Sequence, residues 1–196
     1  MLNDDEIINT LAIVLSIGHA YKYSEEAIMK RIAYSHYFSC IEKNRDDPIL
    51  YVDEQSLISS IYYDANIASY DSILYNQSLW LSELYVRIQR QTNMTFEAVF
   101  LYLPLNKGYG MFPLYHEMDY SQGVDYFLSL LHNQSTLSLI MKKKALSIDE
   151  VAKASGLSYV MISSLKRRKK DISKVAASNL LAMASYLGVK TETLIK

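Results

Sequence analysis

Between Ser147 and Leu165 the chain spells two short helices that meet at a glycine, and this pairing constrains its last third more than any other feature. Ser147 is followed three residues later by Glu150, the spacing of a capping box in which each side chain satisfies a backbone N–H freed at a helix start. A helix therefore starts at Ile148, with Val151 and Ala152 facing inward and the alanine letting a second helix cross close by. Gly156 ends it, because glycine takes the left-handed conformation without a β-carbon penalty. Leu157 plugs the turn and Ser158 caps the next helix, whose Ile162 and Leu165 pack inward while Tyr159, Val160, Ser163 and Ser164 point more nearly outward. Leu137, Ile140 and Met141 mark a helix before this pair, and Leu180, Leu181, Ala184 and Leu187 mark one after it, stopped by Gly188. Two short helices joined by a tight turn form the geometry that presents one of them to a DNA major groove.

Charge divides the chain near the same place. The net charge of −1 conceals 8 Lys and Arg against 17 Asp and Glu up to Asn133, a balance of −9, and 12 against 4 from Gln134 onward, a balance of +8. Five of the basic residues are consecutive, Lys166-Arg167-Arg168-Lys169-Lys170. A basic compact segment beside an acidic one suggests a nucleic-acid-binding part and a part with another task. The expected organisation is thus an acidic domain over 1–133 and a basic one over 134–196.

The acidic part also reads as helical. Ile8, Leu11, Ala12, Leu15 and His19 recur at helical spacing, and Ser24-Glu25-Glu26 caps a second helix expected to run to about Lys43. Asn44 to Pro48 reads as a loop, Ile49 to Val52 fits strand or helix, and Asp53 opens a helical pattern through Tyr63. A longer helix is expected from about Asp71 to Gln91, with Trp80, Leu81, Leu84, Tyr85 and Ile88 on one face. Phe96 to Leu103 is helical or extended and is ended by Pro104. Gly108, Gly110, Pro113 and Gly123 predict an irregular connection from Leu105 to Gly123, before a last helix from Ser121 to about His132. Fifteen of the 17 tyrosines precede Asn133, a composition that suits semi-exposed packing in a helical core and, secondarily, protein recognition. The fold class expected is mainly α.

In its ordered set of residues the C-terminal segment resembles the Cro/phage-repressor class of helix-turn-helix domains, also called the xenobiotic-response-element family. The matching residues are Leu146-Ser147, Val151-Ala152, the Gly156-Leu157-Ser158 turn, Ile162-Ser163, and Leu180 to Val189 ending in Tyr-Leu-Gly-Val. The resemblance implies a five-helix DNA-binding domain, with Tyr159, Val160 and Ser164 facing base edges and Ser147 and the first turn of its helix near phosphate. Ser158 and Ser163 flank those readout positions, and Lys153, Lys166, Arg167, Lys169 and Lys170 complete the expected DNA-binding set. Glutamines often stand at the base-facing positions of this family; here an aromatic, an aliphatic and a hydroxyl stand instead, and none makes a bidentate base contact. The family's usual glycine after the recognition helix is also replaced by the basic run, which strengthens phosphate attraction rather than readout. Phe100 to Leu105 and Pro113 to Asp119 are similar to bacterial helix-turn-helix proteins, a likeness that implies no mechanism.

Other chemistry finds little support in the residues. His116-Glu117-Met118-Asp119 lacks the second histidine one turn on that a helical zinc site needs, and the four histidines show no ligand spacing. Asn106-Lys107-Gly108-Tyr109-Gly110 lacks the spacing and the lysine-hydroxyl end of a phosphate loop, and reads as a turn. There is no Gly-x-Ser-x-Gly elbow. Cys40, the only cysteine, excludes an internal disulfide and a cysteine-rich zinc site, and reads as a small core hydrophobe. Asn3, Asp4, Asp5 and Glu6 stand where a signal peptide carries basic residues, and no apolar run approaches a membrane span, so a cytoplasmic protein is expected. The expectation is a non-enzymatic, cofactor-free regulator that binds double-stranded DNA as a homodimer and represses transcription. The alternative is an antitoxin whose acidic domain neutralises a protein toxin while its basic domain represses the operon.

Overall fold

The computed structural model describes residues 3–63 and 72–195. Thirteen α-helices and no strands occur among the described residues, so the fold is mainly α as expected. No helix among them is long and apolar enough to cross a membrane. The chain divides into two compact units, Met1–Tyr126 and Phe127–Lys196.

In the first unit α1 (Asp4–Ala20) is started by a capping box: the Asn3 side chain accepts from the Glu6 N–H at 2.8 Å, and the Glu6 carboxylate accepts from the Asn3 N–H at 2.8 Å. Asp4, Asp5 and Glu6 thus sit where the helix dipole favours negative charge. The helix lies along α5 (Ser72–Thr92), burying Ile7, Leu11, Val14 and Leu15 with Leu81, Leu84, Tyr85 and Ile88. Arg90 closes one end of the pair on Asp4 at 3.0 Å.

Between these two, the single helix expected to run to Lys43 is two, α2 (Glu25–Tyr34) and α3 (His36–Glu42). Ser35 breaks it, because its backbone is extended and its hydroxyl accepts from the Phe38 N–H at 3.1 Å, a local bond that competes with helix continuation. A 3-10 turn follows over Pro48–Tyr51, then α4 (Glu54–Ile61) capped by Asp53. The expected pattern through Tyr63 stops two residues earlier, where the Tyr62 hydroxyl donates to the Val14 carbonyl at 3.0 Å.

The largest departure lies after α6 (Phe96–Tyr102). The stretch expected to be irregular is α7 (Leu105–Tyr115), followed after a short turn by α8 (Tyr120–Asn133). Gly108, Gly110 and Pro113 all lie inside α7, so its helical state opposes local propensity and is set by packing. Gly108 brings α7 down onto α5: an added β-carbon would fall 2.5 Å from Leu81 Cδ1 and 3.0 Å from the Tyr85 hydroxyl. Tyr85 is itself fully buried and donates to the Leu103 carbonyl at 3.0 Å, so little there can yield. His116, one residue past α7, stacks on Phe112 and pairs through Nδ1 with its carbonyl at 2.7 Å, a structural use of a histidine in the His-Glu-Met-Asp stretch.

The tyrosines divide by burial. Tyr37, Tyr62, Tyr85 and Tyr102 are in the core, whereas Tyr21, Tyr34, Tyr51 and Tyr63 are exposed.

Packing, rather than conformational freedom, accounts for Gly108. Gly108→Ala is expected to destabilise the protein by about 1–3 kcal/mol through overpacking. Gly110 has open space around its β position, so Gly110→Ala is expected to stabilise by about 0.5–1 kcal/mol. Urea unfolding of the two variants checks the opposite signs; equal effects would mean that α7 does not seat on α5 through Gly108.

Candidate nucleic-acid interface

The second unit carries five helices after α8: α9 (Thr136–Lys143), α10 (Ile148–Ser155), α11 (Tyr159–Lys166), α12 (Ala177–Leu187) and α13 (Thr191–Ile195). The division between the units falls within α8, and Asn133, where the charge changes sign, is the last residue of that helix. Leu137, Ile140, Met141, Val151, Ile162, Leu165, Leu180, Met183, Ala184, Leu187 and Leu194 are buried. Leu181 is not among them, being 59% exposed; Met183 takes the inward position expected of it.

Each local signal around α10 and α11 has its counterpart in the structure. The Ser147 hydroxyl accepts from the Glu150 N–H at 3.2 Å, and the Glu150 carboxylate accepts from the Ser147 N–H and hydroxyl, both at 2.7 Å. Those bonds hold the Glu150 carboxyl below the usual carboxylate range. Gly156 is left-handed at φ 68°, and Ser158 caps α11 by accepting from the Met161 N–H at 3.2 Å. Leu157 is half-buried at the turn.

With about 100° between successive residues, burying Ile162 and Leu165 turns Val160, Ser163 and Ser164 to the opposite side of α11, flanked by Tyr159. Val160 is 71% exposed and Tyr159 52%, although both are large apolar side chains. Tyr159 and Val160 thus leave apolar surface on the outer side of α11, as Tyr63 and Leu114 do elsewhere in the chain.

The basic run starts where this helix stops. Lys166 is its last residue, Arg167 its C-cap, and Arg168 is left-handed at φ 55°. The Arg168 N–H bonds to the Leu165 carbonyl at 3.0 Å and the Lys169 N–H to the Ser164 carbonyl at 2.9 Å, the paired closure of a Schellman turn. Arginine thus occupies the backbone state that glycine favours. The cations gather at a helix C-terminus, where the dipole favours positive charge, and Arg167, Arg168, Lys169 and Lys170 are exposed. Asp171 ends the run by capping the 3-10 turn Ile172–Lys174, its carboxylate accepting from the Ser173 N–H and hydroxyl.

Ser135 was not among the residues singled out from the sequence, yet it fixes this helix. It caps α9 by accepting from the Ser138 N–H at 3.0 Å, and its own hydroxyl donates to the Lys166 carbonyl at 2.7 Å. One buried hydroxyl thereby joins the start of α9 to the end of α11. A serine ahead of an apolar helix signals a cap, but its bond across 31 residues leaves no local trace.

Of the other residues expected at the interface, Lys153 is exposed on α10, opposite the buried Val151 and Ser155. Ser147 is exposed too, but its hydroxyl is committed to Glu150. Tyr159, Val160, Ser163, Ser164 and Lys166 lie on α11, and Arg167, Lys169 and Lys170 on the turn that closes it.

Residues 136–196 match the family model of the Cro/C1-type HTH DNA-binding domain. The C-terminal unit is a Cro/C1-type helix-turn-helix domain. No curated protein and no solved structure matches the chain. Within this helix-turn-helix domain α10 and α11 are the two helices around the Gly156 turn, and α9, α12 and α13 supply the core that holds them.

Two substitutions test how the domain holds α11. Ser135→Ala removes both the α9 cap and the bond to Lys166 and is expected to lower the domain's stability by about 1–3 kcal/mol. Arg168→Gly relieves the left-handed β-carbon but adds entropy to the unfolded chain, and the net is expected to raise it by up to about 1 kcal/mol. Hydrogen exchange at the Ile162 and Leu165 amides reads both, as faster exchange in the first variant and slower in the second. Unchanged protection in Ser135→Ala would show that the hydroxyl bridge does not hold the helix.

Proposed function

We propose that this protein is a sequence-specific, double-stranded-DNA-binding transcriptional regulator that acts as a homodimeric repressor in the cytoplasm. The observation that carries the proposal is the surface of α11: Tyr159 and Val160 are exposed and Ser163 and Ser164 half-buried on the side away from Ile162 and Leu165, on the second helix of a Cro/C1-type domain, and the run Lys166 to Lys170 adjoins them. Val160 offers a methyl contact to thymine, Ser163 and Ser164 offer single hydrogen bonds to several bases, and Tyr159 reaches base or phosphate. Lys166, Arg167, Lys169 and Lys170 serve phosphates, with Lys153, Ser147 and Ser158 at the edges of the same footprint. Since no readout side chain forms a bidentate pair, discrimination per half-site is modest and leans on DNA shape.

The acidic residues 1–133 form the dimerisation or partner-binding part. One module covers a short half-site, and two-fold pairing multiplies affinity and sets half-sites about 34 Å apart, or a multiple of that. The net charge of −9 also supports a second reading, in which this part holds a basic protein such as a toxin and the protein is an autoregulating antitoxin. The gene beside it and the proteins purified with it from the native host distinguish the two.

Affinity for duplex DNA is expected to fall roughly a thousandfold or more between about 50 and 200 mM salt if the dimer meets six to ten phosphates. A flat salt response would rule DNA binding out. A monomer by light scattering, free and on DNA, would remove the dimer from the proposal.

Readout and attraction separate within α11 and the turn after it. Val160→Ala and Ser164→Ala are expected to weaken cognate binding by at most about 1–3 kcal/mol each and to leave non-specific binding nearly intact. Replacing Arg167 and Lys169 by alanine is expected to weaken all sequences alike and to lessen the salt slope. Fluorescence anisotropy on cognate and scrambled duplexes checks both, with Tyr159→Ala and Ser163→Ala in the same series. Full cognate affinity in all four readout variants would make α11 a protein-contact helix.

A further inference from the structure

The three atoms His36 Nε2, Cys40 Sγ and Asp47 Oδ2 converge in the first unit. His36 and Cys40 lie one turn apart on α3, so their side chains share a face. Beyond the helix, Asn44 is left-handed, and the Asn44 and Arg45 N–H groups bond back to the Ile41 and Cys40 carbonyls at 3.2 and 2.9 Å. This closure reverses the chain and returns Asp47 to the face it left. Asp47 is fixed there by a second task, since its Oδ1 accepts from the Ile49 N–H at 3.0 Å to cap the 3-10 turn. Its Oδ2 is thereby turned toward His36 at 3.3 Å.

Two of the three donor separations match the edges of a coordination polyhedron, and the third is bounded by the same cluster. Nε2 lies 3.3 Å from the carboxylate oxygen and 3.7 Å from the sulfur, and all three atoms lie within 4.8 Å of one another. With zinc bonds of about 2.0–2.1 Å to nitrogen or oxygen and about 2.3 Å to sulfur, tetrahedral edges are about 3.3–3.4 Å for N···O and about 3.6 Å for S···N. The donors also differ in setting: Cys40 is buried, whereas the His36 side chain is 67% exposed. The sulfur closes the inner corner and the fourth vertex faces solvent.

We propose that His36, Cys40 and Asp47 bind one divalent transition ion of the zinc class, with water or an incoming ligand at the fourth position. One thiolate, one imidazole and one carboxylate suit such an ion and not calcium or magnesium, which take oxygen donors. On binding, the Cys40 thiol gives its proton to solvent, the sulfur and the imidazole nitrogen each donate a lone pair, and no electron is transferred. The ion ties α3 to the 3-10 turn Pro48–Tyr51 across the loop between them. Burial explains Cys40 as a core residue, but a core hydrophobe does not require an imidazole and a carboxylate at its sulfur.

The test is a titration of the full-length protein, reduced and treated with chelator, with Co²⁺ and then Zn²⁺. Cys40 is the only cysteine, so a sulfur-to-cobalt charge-transfer band can arise from it alone. One equivalent of Co²⁺ is expected to give that band together with tetrahedral ligand-field bands, and Zn²⁺ is expected to displace them and raise the thermal midpoint. Cys40→Ser is expected to abolish the charge-transfer band. Because that side chain is buried, the exposed His36→Ala and Asp47→Asn serve as the second arm. Each is expected to keep the far-ultraviolet dichroism and to weaken Co²⁺ by at least about tenfold, the loss usual even for groups that only orient a ligand. Absence of the band in the unaltered protein overturns the proposal, and so does a band that survives unchanged in both His36→Ala and Asp47→Asn.

Discussion

Burial of Ile162 and Leu165 is the constraint on which the presentation of the C-terminal domain depends. An eight-residue helix has too little hydrogen bonding of its own to persist in water, so α11 is helical because its inner face is covered. The same two contacts fix its rotation. With Ile162 and Leu165 inward, Val160, Ser163 and Ser164 have one side left to them, and Tyr159 overhangs its start. Rotation alone does not fix position along the axis. That is set at one end by the Gly156 turn with the Ser158 cap, and at the other by the Ser135 hydroxyl on the Lys166 carbonyl.

The basic run makes physical sense from the same geometry. Five adjacent cations would repel one another in an extended segment, but here they follow the negative end of α11 and are divided between its last residue, its cap and the turn beyond. Arg168 stands left-handed where the resemblance leads one to expect glycine, at a cost of about 1–2 kcal/mol to the domain. Charge at this position is therefore held against a local conformational preference, as it is at Lys22. The proposed division of labour follows, with attraction after the helix and readout on its outer face.

Legibility in the sequence tracked the distance over which each feature is determined. The Ser147–Glu150 box, the Gly156 turn, the Ser158 cap and the inward pair Ile162 and Leu165 depend on residues within a few positions of one another, and all are legible in the sequence. The same holds for α1 and α5, whose apolar stripes are long. Ser35 misled for a related reason: a serine inside an apolar pattern is compatible with a helix until its side chain is known to bond forward to Phe38. Leu181 shows the limit of periodicity, since its neighbour Leu180 satisfies the same stripe and only packing decides which of the two turns inward.

The features that escaped the sequence are those in which a distant partner overrides a local preference. Two glycines and a proline are strong turn signals, yet α7 is helical because α5 offers Gly108 a surface that only a missing β-carbon can approach. Ser135 carries no mark of its tie to Lys166. His36 and Cys40 have the one-turn spacing that can place two donors on a single helical face, but alone they are a histidine and a small buried thiol. They become a candidate site only when the closure at Asn44 folds Asp47 back onto them. In each case the deciding contact is made by a side chain from another element. The remote partner supplies a reason for the residue that its own neighbourhood lacks, and this is why packing had to be seen before α7, the α11 lock and the His36–Cys40–Asp47 cluster could be recognised.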